Sequence, residues 1–306
     1  MSDPRAVVTI HPLGASHMFQ QFDERLVDRE ELNSAAPIPL PVLEGKIPTG
    51  SEASQEDFHH FFALQANRGP WQPSTIPDGI EVSPEPPLNG QGPETGAVSH
   101  PMEFPPRAVG KLVGYRDGSK AFGTGWVVGP QHIMTAAHCA YRVGHGWIDG
   151  ALFLPGHGAA DSPIIKCLEV ASAVGWSDGN PQCDPTDFIY DLAVFRADRP
   201  LAPVMGVLGW ATSPGGSACT ALGYPANPQQ GLWRSTGRIA PQGDFIKMRN
   251  DLDPGCSGGP WVSWPQGQPI VLGINAFRLD DANVAYSPPL REVFMNLMEW
   301  VAQTSQ

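Results

Sequence analysis

Residues 253–260 read Asp253-Pro254-Gly255-Cys256-Ser257-Gly258-Gly259-Pro260, a serine set among glycines and prolines. This composition predicts a tight turn, because glycine permits backbone angles closed to other residues and proline interrupts helices and strands. Such a turn can expose the Ser257 hydroxyl and direct neighbouring backbone N–H groups at one point, as acyl transfer requires. A plain surface turn is the alternative, so a nucleophilic role depends on finding a base and an acid elsewhere.

From about residue 109 the sequence predicts an all-β fold. Short apolar runs alternate with turn residues, and the chain of 306 residues contains 34 Gly and 33 Pro. Many short strands separated by such turns are typical of sandwiches and barrels. The predicted strands are residues 109–115, 122–128, 132–136, 151–155, 164–171, 192–195, 218–223, 237–239, 260–263 and 270–277. An apolar stripe over residues 290–301 predicts one closing helix.

Residues 1–100 have a different composition and are predicted to be an extension that precedes a domain at residues 101–306. Proline-rich stretches such as Pro37-Ile38-Pro39-Leu40-Pro41 favour extended polyproline II structure over a packed core. Short helices are predicted at residues 17–32 and 54–62. We expect this extension to be a prosegment, a regulatory arm or a partly disordered tail.

Composition limits the classes of partner. The formal net charge is −12, whereas nucleic-acid binding depends on clusters of Lys and Arg, so no nucleic-acid partner is expected. No run approaches the roughly 18 apolar residues that a membrane span needs. The N-terminal residues lack the apolar core of a secretory signal, which leaves open a cytoplasmic location, export by a non-classical route, or a signal already removed from this sequence. The five cysteines form no Cys-x-x-Cys pair, and no metal or organic cofactor is implied.

A serine needs an adjacent imidazole to accept its proton, and one of the nine histidines has a suitable context. His138 directly follows a predicted strand. The imidazole in turn needs a buried carboxylate on its other nitrogen. Asp191 immediately precedes the apolar run at residues 192–195 and is the candidate, whereas Asp187 has polar neighbours that favour a surface charge.

These segments together resemble the trypsin-like serine proteases. Residues 123–139 resemble the strands around their catalytic histidine, residues 191–193 their aspartate segment, and residues 255–260 their nucleophile loop. Leu222-Gly223-Tyr224-Pro225 is similar to the bacterial glutamyl-endopeptidase, or V8-like, branch. The resemblance covers about residues 100–306. It implies two six-stranded antiparallel β-barrels with the active site in the cleft between them.

The resemblance also implies a serine endopeptidase that acts on a protein or peptide substrate through an acyl-enzyme. Ser257 would attack the carbonyl carbon, and His138 would accept the proton and return it to the leaving amine. Asp191 would hold His138 in place. The backbone N–H groups of Gly255 and Ser257 would form the oxyanion hole.

The sequence departs from the family pattern where substrate is selected. Gly273, Ile274 and Asn275 are expected on the strand that pairs with an extended substrate. Asn275 stands where glutamyl endopeptidases carry a histidine, so a preference for glutamate is not implied. Asp251 stands near where trypsin-type enzymes place the acid that binds Arg or Lys. A surface charge is an equal alternative for Asp251, and the preferred residue stays open.

Two cysteines also depart from the pattern. Many trypsin-like enzymes carry an aspartate directly before the serine, which pairs with an N-terminus freed by zymogen cleavage. Cys256 cannot make that ion pair, so activation by this route is not expected. Cysteine catalysis is disfavoured, because Ser257 is the residue followed by Gly-Gly. Cys139 lacks its usual upstream partner and is expected either to be reduced or to pair with another cysteine such as Cys167.

Two other functions are compatible with these features. One is a catalytically silent, protease-fold binding protein, although the presence of all three triad residues disfavours it. The other is a restrained effector protease, in which the extension at residues 1–100 binds a regulatory partner that triggers activity. The sequence does not separate this second function from an unrestrained endopeptidase.

Overall fold

The computed structural model describes residues 3–14, 27–39, 41, 71–86, 93–157, 162–178, 184–212, 218–226, 231–252, 254–279 and 283–305. Within these ranges the chain forms twenty strands, four α-helices and several short 3-10 helices. The strands are β1 (Val8–Pro12), β2 (Ala36–Pro37), β3 (Trp71–Gln72), β4 (Glu94–Ala97), β5 (Val109–Arg116), β6 (Ser119–Gly129), β7 (His132–Thr135), β8 (Tyr141–Arg142), β9 (Gly146–Trp147), β10 (Gly150–Pro155), β11 (Ile165–Ala173), β12 (Ala193–Ala197), β13 (Gly209–Ala211), β14 (Ala218–Gly223), β15 (Trp233–Gln242), β16 (Phe245–Arg249), β17 (Pro260–Ser263), β18 (Ile270–Ile274), β19 (Phe277–Arg278) and β20 (Val284–Ser287). The α-helices are α1 (Arg29–Asn33), α2 (Val174–Ser177), α3 (Ala202–Met205) and α4 (Glu292–Thr304).

Six strands of the first sheet close into an antiparallel barrel. The pairings run from β5 through β6, β7, β12, β11 and β10 and return to β5. Its interior is filled by large apolar side chains that are fully buried, among them Trp126, Phe153 and Phe195. Burial of such side chains is the main favourable term in folding. The prediction of an all-β fold with a six-stranded first barrel is confirmed.

The second sheet has ten strands, in the order β19-β20-β16-β15-β14-β17-β18-β13-β3, with β4 paired to β15. Trp261, Met248 and Leu272 belong to its apolar core. Within the described residues, β18 and β20 meet without a ladder, and the Ile274 N–H donates to Ser287 Oγ at 2.9 Å between them. A closed six-stranded second barrel therefore stays a prediction.

Residues before position 100 add strands to both sheets. β1 pairs with β11 and β2 with β6 in the first sheet, whereas β3 pairs with β13 and β4 with β15 in the second. Of the predicted helix over residues 17–32, α1 lies at the C-terminal end, and residues 17–26 are outside the described ranges. The helix predicted at residues 54–62 is also outside them. The division at residue 100 stays a prediction.

The closing helix is confirmed as α4. It packs on β1, β11 and β12 of the first sheet, and Phe294, Leu297 and Val301 are among its buried side chains. Phe294 also contacts Trp210 on β13 of the second sheet. The side-chain amide of Asn296 donates to the Ala6 carbonyl at 2.9 Å, which joins the helix to the segment before β1. In the part of the chain that the structure describes, no helix is both long and apolar enough to span a membrane.

Candidate active site

Ser257 lies on a turn that touches both lobes. Gly255 and Gly258 have positive φ angles of 96° and 81°, the left-handed region that glycine adopts without strain. A Cβ atom at Gly258 would overlap Thr135 Oγ1 and would lie 2.6 Å from the backbone nitrogen of Ala136. Glycine is thus required at position 258 both by its φ angle and by its contact with the segment that leads to His138.

We expect Gly258→Ala to lower the free energy of unfolding by about 3 kcal/mol or more, because the added methyl group adds steric overlap to backbone strain. Chemical denaturation followed by tryptophan fluorescence measures this change. Gly118→Ala is the matched control, since Gly118 has φ +75° and nothing within 4 Å of an added Cβ. It should cost about 1 kcal/mol. Equal losses would mean that the contact with Thr135 carries no weight.

His138 and Asp191 form a buried pair. His138 lies in the 3-10 helix Ala137–Cys139, and its Nδ1 is 2.8 Å from Asp191 Oδ2. The backbone N–H of His138 donates to Asp191 Oδ1 at 2.9 Å. Asp191 is completely buried, and the His138 side chain is 9% exposed. The carboxylate therefore holds both the ring and the main chain of His138, and leaves Nε2 for another partner.

The pKa of His138 is set by two opposed effects. Burial lowers it, because the charged imidazolium loses hydration. The Asp191 carboxylate and, after it, Cys139 favour the imidazolium and together outweigh burial, so the pKa of His138 is raised above its ordinary value of 6.5. The site therefore stabilises a protonated imidazole, which is the state that forms after a base accepts a proton.

Two polar atoms of this site are buried and make no hydrogen bond within the described residues: His138 Nε2 and Ser257 Oγ. A buried polar atom without a partner costs about 1–3 kcal/mol, and a functional role is one reason for a protein to keep it. A main-chain hydrogen bond joins the nucleophile turn to β6 of the first barrel, since the Thr124 N–H donates to the Ser257 carbonyl at 2.8 Å. The Cys139 thiol lies 3.8 Å from the same carbonyl.

Cys256 points away from this site. Its side chain packs in the apolar core of the second lobe, where a Cβ on Gly223 would lie 2.7 Å from Sγ. Among the cysteines that the structure describes, Cys139, Cys167, Cys219 and Cys256 are buried and none is in a disulfide. Of the two states left open for Cys139, the structure has the reduced thiol. Cys183 lies outside the described residues.

Three residues predicted to contact substrate are buried behind the nucleophile turn. Gly273 and Ile274 lie within β18 and pair with β17. Asn275 is completely buried, and its Oδ1 accepts hydrogen bonds from Asn250 at 3.0 Å and from Trp261 at 2.8 Å. Its amide nitrogen donates to the Cys256 carbonyl at 3.2 Å. These contacts hold the turn from behind.

Asp251 is not brought together with the triad residues by any described contact. It is exposed and accepts hydrogen bonds from Thr95 on β4 and from Ser235 on β15. Arg278, which the sequence analysis missed, binds the main chain on both sides of Asp251. Its guanidinium donates to the carbonyls of Asn250 at 2.8 Å and Leu252 at 2.7 Å. An arginine at the end of an apolar run was the available signal.

The donor predicted for the oxyanion hole has a partner from the N-terminal region. The Gly255 N–H donates to the carbonyl oxygen of Ile38 at 2.9 Å. A cavity of about 670 Å³ lies beside this contact, with His138 and Trp176 on one wall and Pro37 on another.

In the described ranges, no group of three or more His, Cys, Asp or Glu side chains is arranged to hold a metal ion.

Comparison with known proteins finds trypsin-like and V8-like relatives. Residues 123–274 match the family model of the trypsin-like peptidase domain. A glutamyl endopeptidase of Bacillus licheniformis is 28% identical over 220 residues, which are 66% of this chain and 66% of that protein. A Bacillus subtilis protein named extracellular metalloprotease is 27% identical over 222 residues, which are 69% of this chain and 68% of that protein. The matched part thus spans about two thirds of these relatives.

Solved structures show the same fold. Protease Anisep from Arthrobacter nicotinovorans superposes with a TM-score of 0.59 at 19% identity, over 69% of this chain and 100% of that one. A Glu endopeptidase in complex with MPD gives a TM-score of 0.58 at 18% identity, over 70% and 99%. Residues 123–274 thus match a trypsin-like peptidase domain, and this match together with the protease homologues supports a serine endopeptidase.

Proposed function

We propose that the protein cleaves peptide bonds through an acyl-enzyme formed on Ser257, with His138 as the general base and Asp191 as the residue that orients it. The observation that carries this proposal is the Asp191–His138 pair, with Nδ1 and Oδ2 2.8 Å apart, together with two buried atoms that make no hydrogen bond within the described residues. Those atoms, His138 Nε2 and Ser257 Oγ, are the pair between which the proton would move.

The steps follow from this arrangement. Ser257 Oγ attacks the substrate carbonyl carbon while its proton passes to His138 Nε2, and Asp191 stabilises the imidazolium. The negative oxygen of the tetrahedral intermediate accepts hydrogen bonds from the N–H groups of Gly255 and Ser257. Loss of one such donor costs about 3 kcal/mol of transition-state stabilisation. His138 then protonates the leaving amine. In the second half of the reaction His138 accepts a proton from water, which attacks the ester carbonyl, and returns a proton to Ser257 Oγ as the acid product leaves.

A fluorophosphonate probe tests the proposal, since it phosphonylates an activated serine. We expect mass spectrometry to locate the adduct on Ser257 and to find none on Ser257→Ala. Because the Ile38 carbonyl accepts the Gly255 N–H, the same reaction is run with Ile38→Asp, which weakens that contact. If the folded native chain and Ile38→Asp both stay unlabelled, the protein does not have the proposed activity.

Asp251 is proposed as a surface charge and not as the floor of a substrate pocket. We expect Asp251→Ala to change the relative cleavage of Arg, Lys and other residues in a peptide library by no more than about twofold, as for a surface substitution. Asp251→Asn is the control, because it removes the charge and keeps a group that can accept from Thr95 and Ser235. A selective loss of cleavage after Arg and Lys in both variants would place Asp251 in the pocket.

A further inference from the structure

A short proline-rich segment of the N-terminal region crosses the proposed cleft. We call residues 36–41 the cleft segment, of which residues 36–39 and 41 are described. The Ile38 N–H donates to the Phe122 carbonyl at 2.8 Å, on the first barrel. On the second lobe, the N–H groups of Gly255 and Arg278 donate to the carbonyls of Ile38 at 2.9 Å and Pro41 at 2.8 Å. The cleft segment therefore bridges the two lobes by main-chain hydrogen bonds.

The contact at Gly255 conflicts directly with the proposed chemistry. A backbone N–H has one hydrogen, and in this structure the Ile38 carbonyl accepts it. The same N–H has to face the substrate carbonyl for the oxyanion to be stabilised. Binding of the Ile38 carbonyl and binding of a substrate carbonyl at Gly255 thus exclude each other.

The composition and the anchoring of the cleft segment favour its bound state. Three of its six residues are proline, whose fixed φ angle restricts the chain to extended conformations before it docks. Preorganisation of this kind lowers the entropic cost of binding. Leu32, just upstream, is 1% exposed, and its carbonyl accepts a hydrogen bond from the buried Lys111 ammonium at 3.3 Å. This anchor keeps the local concentration of the segment high.

The side chain of Ile38 adds an apolar contact. It is half-buried and packs against the main hydrophobic core. Upstream, Ala36 lies opposite Ala121 and Pro37 opposite Phe122 in a parallel pairing of β2 with β6. The segment is therefore held by backbone pairing, by apolar packing and by an anchored neighbour.

We infer that the cleft segment is an intramolecular competitive inhibitor of the proposed active site. The Phe122 carbonyl and the Gly255 and Arg278 N–H groups are then the main-chain groups that bind an extended substrate peptide once the segment has left. This inference rests on the proposed function, since inhibition has meaning only for an active site. The regulated step is the departure of the Ile38 carbonyl from Gly255.

Loosening the segment in the full-length chain tests the inference. Ile38→Asp places a charge at a half-buried apolar position, and it should raise the rate of fluorophosphonate labelling and of peptide cleavage about tenfold or more, as the open fraction increases. Ile76→Asp is the matched control. Ile76 is also half-buried, precedes position 100 and packs on the same core, but it does not line the cavity beside His138. This control should not raise either rate.

Locking the segment gives the opposite test. Ala36 and Ala121 are direct neighbours in the β2–β6 pairing, at a spacing compatible with a disulfide. The oxidised A36C/A121C double variant should be labelled more slowly than the native chain, and dithiothreitol should restore the native rate. Reversal by a reductant also shows that the locked variant is folded.

The possible outcomes distinguish failure of the inference from failure of the proposed peptidase function. Faster labelling of Ile38→Asp together with slower labelling of the oxidised double variant supports the inference. Equal labelling of native, loosened and locked chains overturns it and leaves the proposed function standing. Absence of labelling in every form, including Ile38→Asp, overturns the proposed function and the inference with it.

Discussion

Replacing Ser257 by alanine should lower kcat/KM for a peptide substrate on the order of 10⁶-fold, the effect of removing the nucleophile from a serine protease. The loss is specific to chemistry, because Ser257 Oγ makes no hydrogen bond within the described residues. The contacts that hold the turn use main-chain atoms, such as the Ser257 carbonyl that accepts from Thr124 at 2.8 Å. The variant should therefore keep the native fold. Hydrolysis of a fluorogenic peptide measures the rate, and circular dichroism measures the fold.

Cys256→Ala is the matched control for this experiment. It removes a neighbouring side chain that packs in the apolar core of the second lobe. We expect a loss of about 1–2 kcal/mol of stability and a kcat/KM within about tenfold of the native value. If Cys256→Ala abolished turnover while Ser257→Ala retained it, the nucleophile would be the thiol.

Asp191→Asn should lower kcat/KM about 10⁴-fold. The amide can no longer stabilise the imidazolium, and it favours the wrong tautomer of His138. The pH profile should change as well. In the native protein the pKa of His138 is raised above 6.5 by the carboxylate, so activity increases with pH and reaches half its maximum above pH 6.5. In Asp191→Asn the contribution of the carboxylate is lost and burial, which lowers the pKa, is opposed less strongly, so this midpoint should move to lower pH.

Asp187→Asn is the control for the orienting acid. Asp187 is four residues before Asp191, but it pairs with Arg5, with Oδ1 2.6 Å from Nη2. Because the Arg5 side chain is 48% exposed, this pair contributes about 1 kcal/mol at most. We expect kcat/KM to stay within about fivefold of the native value. A 10⁴-fold loss in Asp187→Asn with a small loss in Asp191→Asn would exchange their roles.

Local sequence predicted the strands whose residues are buried on both faces. Residues 151–155 and 218–223 were predicted and are found as β10 and β14 with boundaries within one residue. β16 and β20 were missed, since β16 is a short run interrupted by Lys247 and β20 has only four residues. β1 to β4 were missed because their proline-rich neighbourhood resembles a linker. Their pairing depends on the strand edges that the rest of the fold presents.

The proposed triad residues could be predicted because each lies in a short local motif. The contact between Ile38 and Gly255 could not, since the two residues are more than 200 positions apart and neither motif indicates the other. The position of Asn275 on the substrate strand stays a prediction, whereas the bonds of its side-chain amide to Asn250, Trp261 and Cys256 were not predicted. Hydrogen-bond saturation of this kind depends on three-dimensional neighbours.

The bond between Asn296 on α4 and the Ala6 carbonyl has a consequence for how the protein is made. The two residues are 290 positions apart, and both cover the first barrel beside β11. Contacts of such long sequence separation form late, because a long loop has to close before they contribute. During synthesis, this face of the barrel stays uncovered until α4 has left the ribosome. We therefore expect nascent chains that end before residue 292 to expose apolar surface and to need a chaperone.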